Sequence, residues 1–545
     1  MKDPHVSVEA GGVTVTVTGA GLLAALQAAT DALTEAKVAS RIANKDATVW
    51  GGDAEHEATV RLGWLDLPRT GRQYLGELAA LRAQFEAAGL DHVVLAGMGG
   101  SSLAPEVIAA TAGVRLTVLD TTDAGQVASA IADQLERTIL VVSSKSGGTL
   151  ETDSHRRAYE QAFRDADIDP RERIVVVTDP GSPLEASARA AEYRVFLADP
   201  NVGGRYSALS AFGLVPSALA GVDVGGLLDD AAALLPTLAN DSDNPALSLG
   251  AVLGEAGRAG RDKVVIADFG SRHPGFGDWA EQLVAESTGK KGTGLLPVVV
   301  ESVEAPGFSE APDRHLVVLG AHLNIEGTTV SGSLGAQFLA WEYATAVAGQ
   351  VLGINPFDQP NVQESKDNTL RILDEAGDGP LPEGLPVFTD GAIQVFTDDP
   401  ILLGGAHSVT GALQALLAAV PDRGYLAVMA YLDRHADSAA ALVRKSLARR
   451  TERPVSFGWA PRFLHSTGQF HKGGPQTGAF LQVTGVVERD LPIPGRPFGF
   501  ARLQLAQALG DLRALQQRGR PVIRLHLLDR TQGLQQLLDA AASAP

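Results

Sequence analysis

The densest group of chemistry-bearing side chains is Ser144-Lys145-Ser146-Gly147-Gly148-Thr149-Leu150-Glu151-Thr152, which follows the apolar run TILVVS at 138–143. Four hydroxyls, one ammonium and two glycines at the start of a helix suit a phosphate monoester dianion, through charge-assisted bonds and the positive end of the helix dipole. A second loop, Gly97-Met98-Gly99-Gly100-Ser101-Ser102, follows HVVLA (92–96) and precedes a helix with Pro105 near its first turn. Its glycines let backbone N–H groups approach an anion. A dinucleotide fingerprint needs a third glycine where this chain has Ser102, although Asp120 ends the next strand where a ribose-binding acid would stand. That weakens a nicotinamide-dependent dehydrogenase as an alternative, and the absence of GxxxxGK[ST] excludes a Walker loop.

The elements that must position these loops are short β-branched runs alternating with helical periodicity: HVVLA, RLTVLD (115–120), TILVVS, RIVVVTD (173–179) and YRVFLAD (193–199). Such alternation builds a parallel sheet covered on both faces, and loops after adjacent strands converge at its carboxyl edge. KVVIAD (263–268), LLPVVV (295–300), HLVVLG (315–320) and a long helix near 333–352 repeat the scheme. The Pro/Gly-rich stretch 375–391 reads as a linker. Beyond it AIQVFTD, YLAVMAYL, PVSFGW, AFLQVTG and VIRLHLL alternate with helices at about 407–419, 434–450 and 500–517. The expected architecture is α/β: an N-terminal extension of hairpin and helix (1–45), two doubly wound parallel-sheet domains (46–215 and 216–375) and an α/β C-terminal segment (376–545).

Composition narrows the function classes. The 545 residues carry 45 Lys+Arg against 64 Asp+Glu, a formal net charge of −19, which argues against nucleic acid or an anionic membrane as partner. Any anionic substrate must be met by local donors. With no cysteine there is no disulfide, thiolate nucleophile, Cys-ligated zinc or iron–sulfur cluster. MKDPHVSVEAGG has no apolar run of signal-peptide type, so a cytoplasmic location is expected. The most membrane-like stretch, Phe338 to Ile354, contains Glu342 and is too short and polar to cross a bilayer, which makes it a buried helix.

Five segments in order, GMGGSSLAP, SKSGGTLET, VGGRYSALSAFGL, ESTGK and INPFDQPNVQESK, resemble the glucose-6-phosphate isomerase (phosphoglucose isomerase) family of the sugar isomerase fold, over about residues 90 to 375. The resemblance implies reversible interconversion of D-glucose 6-phosphate and D-fructose 6-phosphate through a cis-enediol(ate), in glycolysis and gluconeogenesis, with no metal or organic cofactor. It assigns Ser101, Ser144, Lys145, Ser146 and Thr149 to the substrate phosphate, and Gly100, Gly204 and, on the phosphate side, Gln359 to further substrate binding. It makes Glu286 the base that takes a proton from C2 and returns it to C1, Arg205 the stabiliser of enediolate charge, and Lys366 an aid to ring opening. Were 359–366 helical, the spacing would place Gln359 and Lys366 on one face.

The resemblance also implies a histidine that opens the pyranose ring, which in short bacterial relatives lies in a segment like LHSxGQ between the glutamate and NPFDQ. Here that interval offers only His315 and His322, whereas LHSTGQFHKGG stands at 464–474, after NPFDQ. His465 is the candidate, supplied from a rearranged position. His465 and His471 have no third ligand at metal spacing. The C-terminal segment resembles the isomerase part of transaldolase–isomerase fusions, and no barrel fits the remaining length. The resemblance also implies a homodimer whose histidine crosses between subunits, which the displaced LHSTGQ leaves open. Two further readings stand beside the leading one: a broader aldose–ketose isomerase acting also on mannose 6-phosphate, and a phosphosugar-sensing regulatory module, which would need no Glu286.

Overall fold

The computed structural model describes residues 4–543. Its strands, in chain order, begin with an antiparallel hairpin, β1 (His5–Ala10) and β2 (Val13–Thr18). Then come β3 (His92–Gly97), β4 (Thr117–Leu119), β5 (Thr138–Ser143), β6 (Ile174–Thr178) and β7 (Arg194–Leu197). They form a parallel sheet of order β4-β3-β5-β6-β7. Every residue of β3 and β5 is buried, as expected of apolar strands covered by helices on both faces. The strand order reverses between β3 and β5, so the crevice for a ligand lies beyond their carboxyl ends.

A second sheet holds β8 (Lys263–Phe269), β9 (Leu296–Val300), β10 (Arg314–Gly320) and β11 (Gly327–Gly332) in the order β9-β8-β10-β11, with β2 and β1 added antiparallel beyond β11. The hairpin β1–β2, from the segment read above as an extension, thus supplies the edge of this sheet. The outer strand HVSVEA is largely exposed and places His5, Ser7 and Glu9 along one face, a composition that blunts an open edge.

The third sheet repeats that plan. It contains β12 (Phe388–Asp390), β13 (Ile393–Phe396), β14 (Tyr425–Tyr431), β15 (Val455–Trp459), β16 (Gly478–Gly485) and β17 (Val522–Leu527), ordered β15-β14-β16-β17 with the β13–β12 hairpin antiparallel beyond β17. The linker stretch 375–391 therefore ends inside a hairpin that turns at Gly391.

Local chemistry moves several boundaries. The helix expected at 434–450 is confined to a 3-10 turn at Ser438–Ala441 and a helix at Leu442–Ala448, because the Asp433 carboxylate caps the backbone N–H groups of His435 and Ala436 in a preceding turn. The helix at Val409–Ala418 starts where Ser408 accepts from the Gly411 N–H at 3.1 Å. The long helix Leu334–Leu352 is buried over almost all its length, and among the described residues no helix is long and apolar enough to span a membrane.

Candidate active site

The register of β3 and β5 brings the two loops rich in hydroxyls and glycines together. Gly97 pairs with Ser143, so the loops that follow, 98–102 and 144–149, leave the sheet side by side at its switch point. Ser101 and Ser144 are buried, and the Ser144 and Thr149 hydroxyls lie 3.0 Å apart. Thr149 occupies the N-cap of the helix Leu150–Asp165 without capping it through its side chain, which leaves its hydroxyl and the helix N–H groups facing the crevice. Lys145 is ion-paired with Asp179, at the end of β6. Burial pushes the Lys145 ammonium down in pKa, against the pull of Asp179, and it raises the Asp179 carboxyl in spite of the lysine. A β-carbon at Gly100 would sit 1.9 Å from the Gly204 carbonyl oxygen; only glycine lets this loop touch the one that carries Arg205.

Arg205 is buried and locked. Its Nε donates to Ser287 Oγ at 2.7 Å, Nη1 to Gln359 Oε1 at 2.8 Å, and Nη2 to the carbonyls of Pro356 (2.8 Å) and Asp358 (3.0 Å). Glu286 stands in the last turn of the helix Phe276–Thr288, one residue before Ser287. Its Oε2 accepts from Gln282 Nε2 at 3.2 Å, and the same amide donates to the His465 carbonyl at 2.7 Å. Lys290, the last residue of ESTGK, donates to Asn355 O at 2.7 Å, Asp358 O at 2.5 Å and Asp358 Oδ1 at 2.6 Å. It fastens the NPFDQ turn that fastens Arg205. Burial outweighs the Asp358 carboxylate and lowers the Lys290 pKa to about 8.

His465 belongs to the connection between β15 and β16 and reaches the carboxyl edge of the first sheet in its own chain. Its Nε2 lies 3.1 Å from Glu151 Oε1. Burial alone would raise the Glu151 carboxyl, but His465 and Lys366 hold it down at about 2. Lys366 projects from the helix Val362–Ala376. Gln359 lies before that helix, since Pro360 disfavours helical backbone at the residue preceding it, so the same-face expectation for Gln359 and Lys366 does not hold. Both nevertheless border the cleft.

One open cleft of about 1180 Å³ is lined by Gly100, Ser101, Ser144, Lys145, Ser146, Thr149, Gly204, Arg205, Glu286, Gln359, Lys366 and His465, the residues to which the sequence analysis gave a substrate or catalytic role. The structure adds Arg61, Asp179 and Gln282 to that lining. Glu151, whose position in the first turn of a helix reads from sequence as an ordinary cap, lines a smaller adjoining cavity with Lys366, His465 and Gln507. Gln282, one turn before Glu286, could have been found by asking what else that helix face presents.

His315 is a core residue of β10, bonded to Thr328 Oγ1 at 3.0 Å and pushed by burial to about 4, and His322 packs near His5; neither lines the cleft. Asp120 is held by Arg462 Nε at 2.6 Å and Ser102 Oγ at 3.2 Å, which occupies the carboxylate the dehydrogenase alternative required. His471 is enclosed by the rings of Tyr425, Phe463 and Phe480.

Comparison with known proteins places the chain in a family. The sequence model of the family described as phosphoglucose isomerase matches residues 82–292. A glucose-6-phosphate isomerase of Rubrobacter xylanophilus is 30% identical over 397 residues, covering 58% of this chain and 90% of that one. The chain belongs to the phosphoglucose isomerase family. A probable glucose-6-phosphate isomerase of Haloarcula marismortui is 36% identical over 213 residues, 38% of this chain and 49% of the relative. The crystal structure of a glucose-6-phosphate isomerase from Chlamydia trachomatis shares the fold, with a TM-score of 0.55 at 19% identity, covering 69% of this chain and 90% of that one.

Proposed function

We propose that this member of the phosphoglucose isomerase family interconverts D-glucose 6-phosphate and D-fructose 6-phosphate with the cleft residues described above. The observation that carries the proposal is the convergence, on one cleft, of a hydroxyl- and ammonium-bearing helix N-terminus, a carboxylate–guanidinium pair and a carboxylate–imidazole pair. The first takes the 6-phosphate through Ser101, Ser144, Lys145, Ser146 and Thr149, which fixes the distance to the reacting carbons. With Nε2 engaged by Glu151, His465 offers Nδ1 to the sugar. It moves the O1 hydroxyl proton to the ring oxygen as the C1–O5 bond breaks, and the Lys366 ammonium stabilises charge on those oxygens.

Glu286 then removes the C2 proton, and the electron pair forms the C1–C2 double bond as negative charge grows on O1. The Arg205 guanidinium, 3.6 Å from the Glu286 carboxylate, stabilises that charge. The O2 hydroxyl proton passes to O1, which leaves the negative charge on O2; as that charge collapses to the C2 carbonyl, the C1–C2 π pair takes the proton back from Glu286 at C1 on the same face. Apart from the cleavage of C1–O5, only protons move, from O1 to O5, from C2 to C1 and from O2 to O1, and their count balances. A coupled assay on fructose 6-phosphate in the presence of EDTA tests the proposal, together with solvent-deuterium exchange at C2. Purified protein with neither turnover nor exchange would overturn it.

A further inference from the structure

The helix Phe500–Gln516 packs on the third sheet, and residues 507, 510 and 511 share one of its faces by helical spacing. That face meets three parts of the site. Gln507 Nε2 donates to Glu151 Oε1 at 2.8 Å, the same oxygen that lies 3.1 Å from His465 Nε2. Gly510 lies so close to the helix of Lys366 that a β-carbon there would be 2.7 Å from Thr369 Oγ1. Asp511 pairs with Lys472 at 2.7 Å, on the segment that carries His465, and accepts from Ser365 Oγ, the neighbour of Lys366, at 3.1 Å.

We propose that Gln507, brought by the third-sheet region, is a positioning residue that orients the Glu151–His465 pair. This rests on the reading of His465 as the ring-opening group. An ionised carboxylate only accepts, so the Gln507 side chain must turn Nε2 toward Glu151. Its Oε1 is then the acceptor for Thr122 Oγ1 at 2.7 Å, and Thr122 and Gln507 are both buried. The chain Thr122–Gln507–Glu151–His465 fixes the carboxylate in rotation, and the carboxylate fixes the imidazole. Gln507 touches neither the C2 base nor the phosphate loop, so its loss should act on ring opening and spare enolisation.

The experiment compares Gln507→Leu and Thr122→Val with wild type on two substrates. One is cyclic glucose 6-phosphate. The other is a 4,5-dideoxy aldohexose 6-phosphate, which has no hydroxyl able to close a five- or six-membered ring and is followed by C2 proton exchange. Loss of one bond to a charged group predicts a fall in kcat on the cyclic sugar of about 10- to 100-fold for Gln507→Leu. KM and open-chain exchange should change less than about threefold. Thr122→Val, an isosteric change remote from Glu151, should show the same split to a smaller degree. Equal losses on both substrates, or no loss on either in both variants, overturn the inference while leaving the isomerase reading intact. Wild-type protein inactive on both substrates overturns the two together.

Discussion

Arg205 Nη1 lies 3.6 Å from Glu286 Oε1, close enough for strong electrostatic coupling and too far for a hydrogen bond. The guanidinium spends its donors on Ser287, Gln359, Pro356 and Asp358 instead. It is thereby rigid before substrate arrives, and Glu286 keeps Oε1 free for a proton.

Replacing Glu286 by Gln retains shape while removing the base. Isomerisation and C2 exchange should both vanish, with binding of an open-chain phosphosugar acid inhibitor retained; exchange near the wild-type rate would move the base elsewhere. Arg205→Ala should lower kcat by about 100- to 1000-fold, more than it raises KM, as for a group acting on developing charge.

Lys145 is ion-paired with Asp179 at the rim of the cleft. Binding a phosphate dianion must therefore compete with a carboxylate already in place. Lys145→Ala or Thr149→Ala should raise KM by about 10- to 100-fold, the effect of losing a charge-assisted bond. Asp179→Asn should act in the opposite direction and tighten inorganic phosphate binding. Calorimetric titration with phosphate decides this, and unchanged affinity in all three variants contradicts the assignment of the phosphate end.

Lys472 and Asp511 form a 2.7 Å ion pair with each side chain only 1% exposed. Removing one partner leaves a buried uncompensated charge, so Lys472→Met should destabilise the protein by about 3 to 5 kcal/mol, and the double change with Asp511→Leu should recover most of that loss. Urea unfolding measures both. A single variant within about 1 kcal/mol of wild type would mean that water reaches the pair.

Much of the anion end was legible because it is local: a wholly apolar strand, a loop of hydroxyls and glycines, and a helix start follow one another in the chain. What sequence could not disclose is non-local. The alternation of VTVTVT announces a strand with unlike faces, but only the structure shows that β2 pairs with β11, more than three hundred residues away. Lys290 lies within a family motif yet works as a clamp on a distant turn. Glu151 looks like a helix-start acid until His465 arrives from the third sheet. LHSTGQ follows NPFDQ in the chain, and the connection between β15 and β16 still brings its histidine to the cleft.

The pH dependence of stability follows from that last contact. The Glu151 carboxyl is buried, which opposes ionisation, yet His465 and Lys366 lower its pKa from an ordinary carboxylate value to about 2 in the folded protein. A group depressed in this way stabilises the fold above its unfolded pKa of about 4.3, and that contribution is lost as pH falls through the folded value. Wild-type unfolding free energy should therefore decline between about pH 4.5 and about pH 2, and Glu151→Gln should flatten part of the slope in that window. At neutral pH the same variant should behave as His465→Ala does, slowing turnover of the cyclic sugar while preserving C2 exchange in the ring-blocked substrate, because both disable one proton relay and leave Glu286 untouched. His465→Ala with normal activity on glucose 6-phosphate would remove the residue from catalysis. Glu151→Gln that slows cyclic and open-chain substrates alike would make the pair a structural support of the cleft.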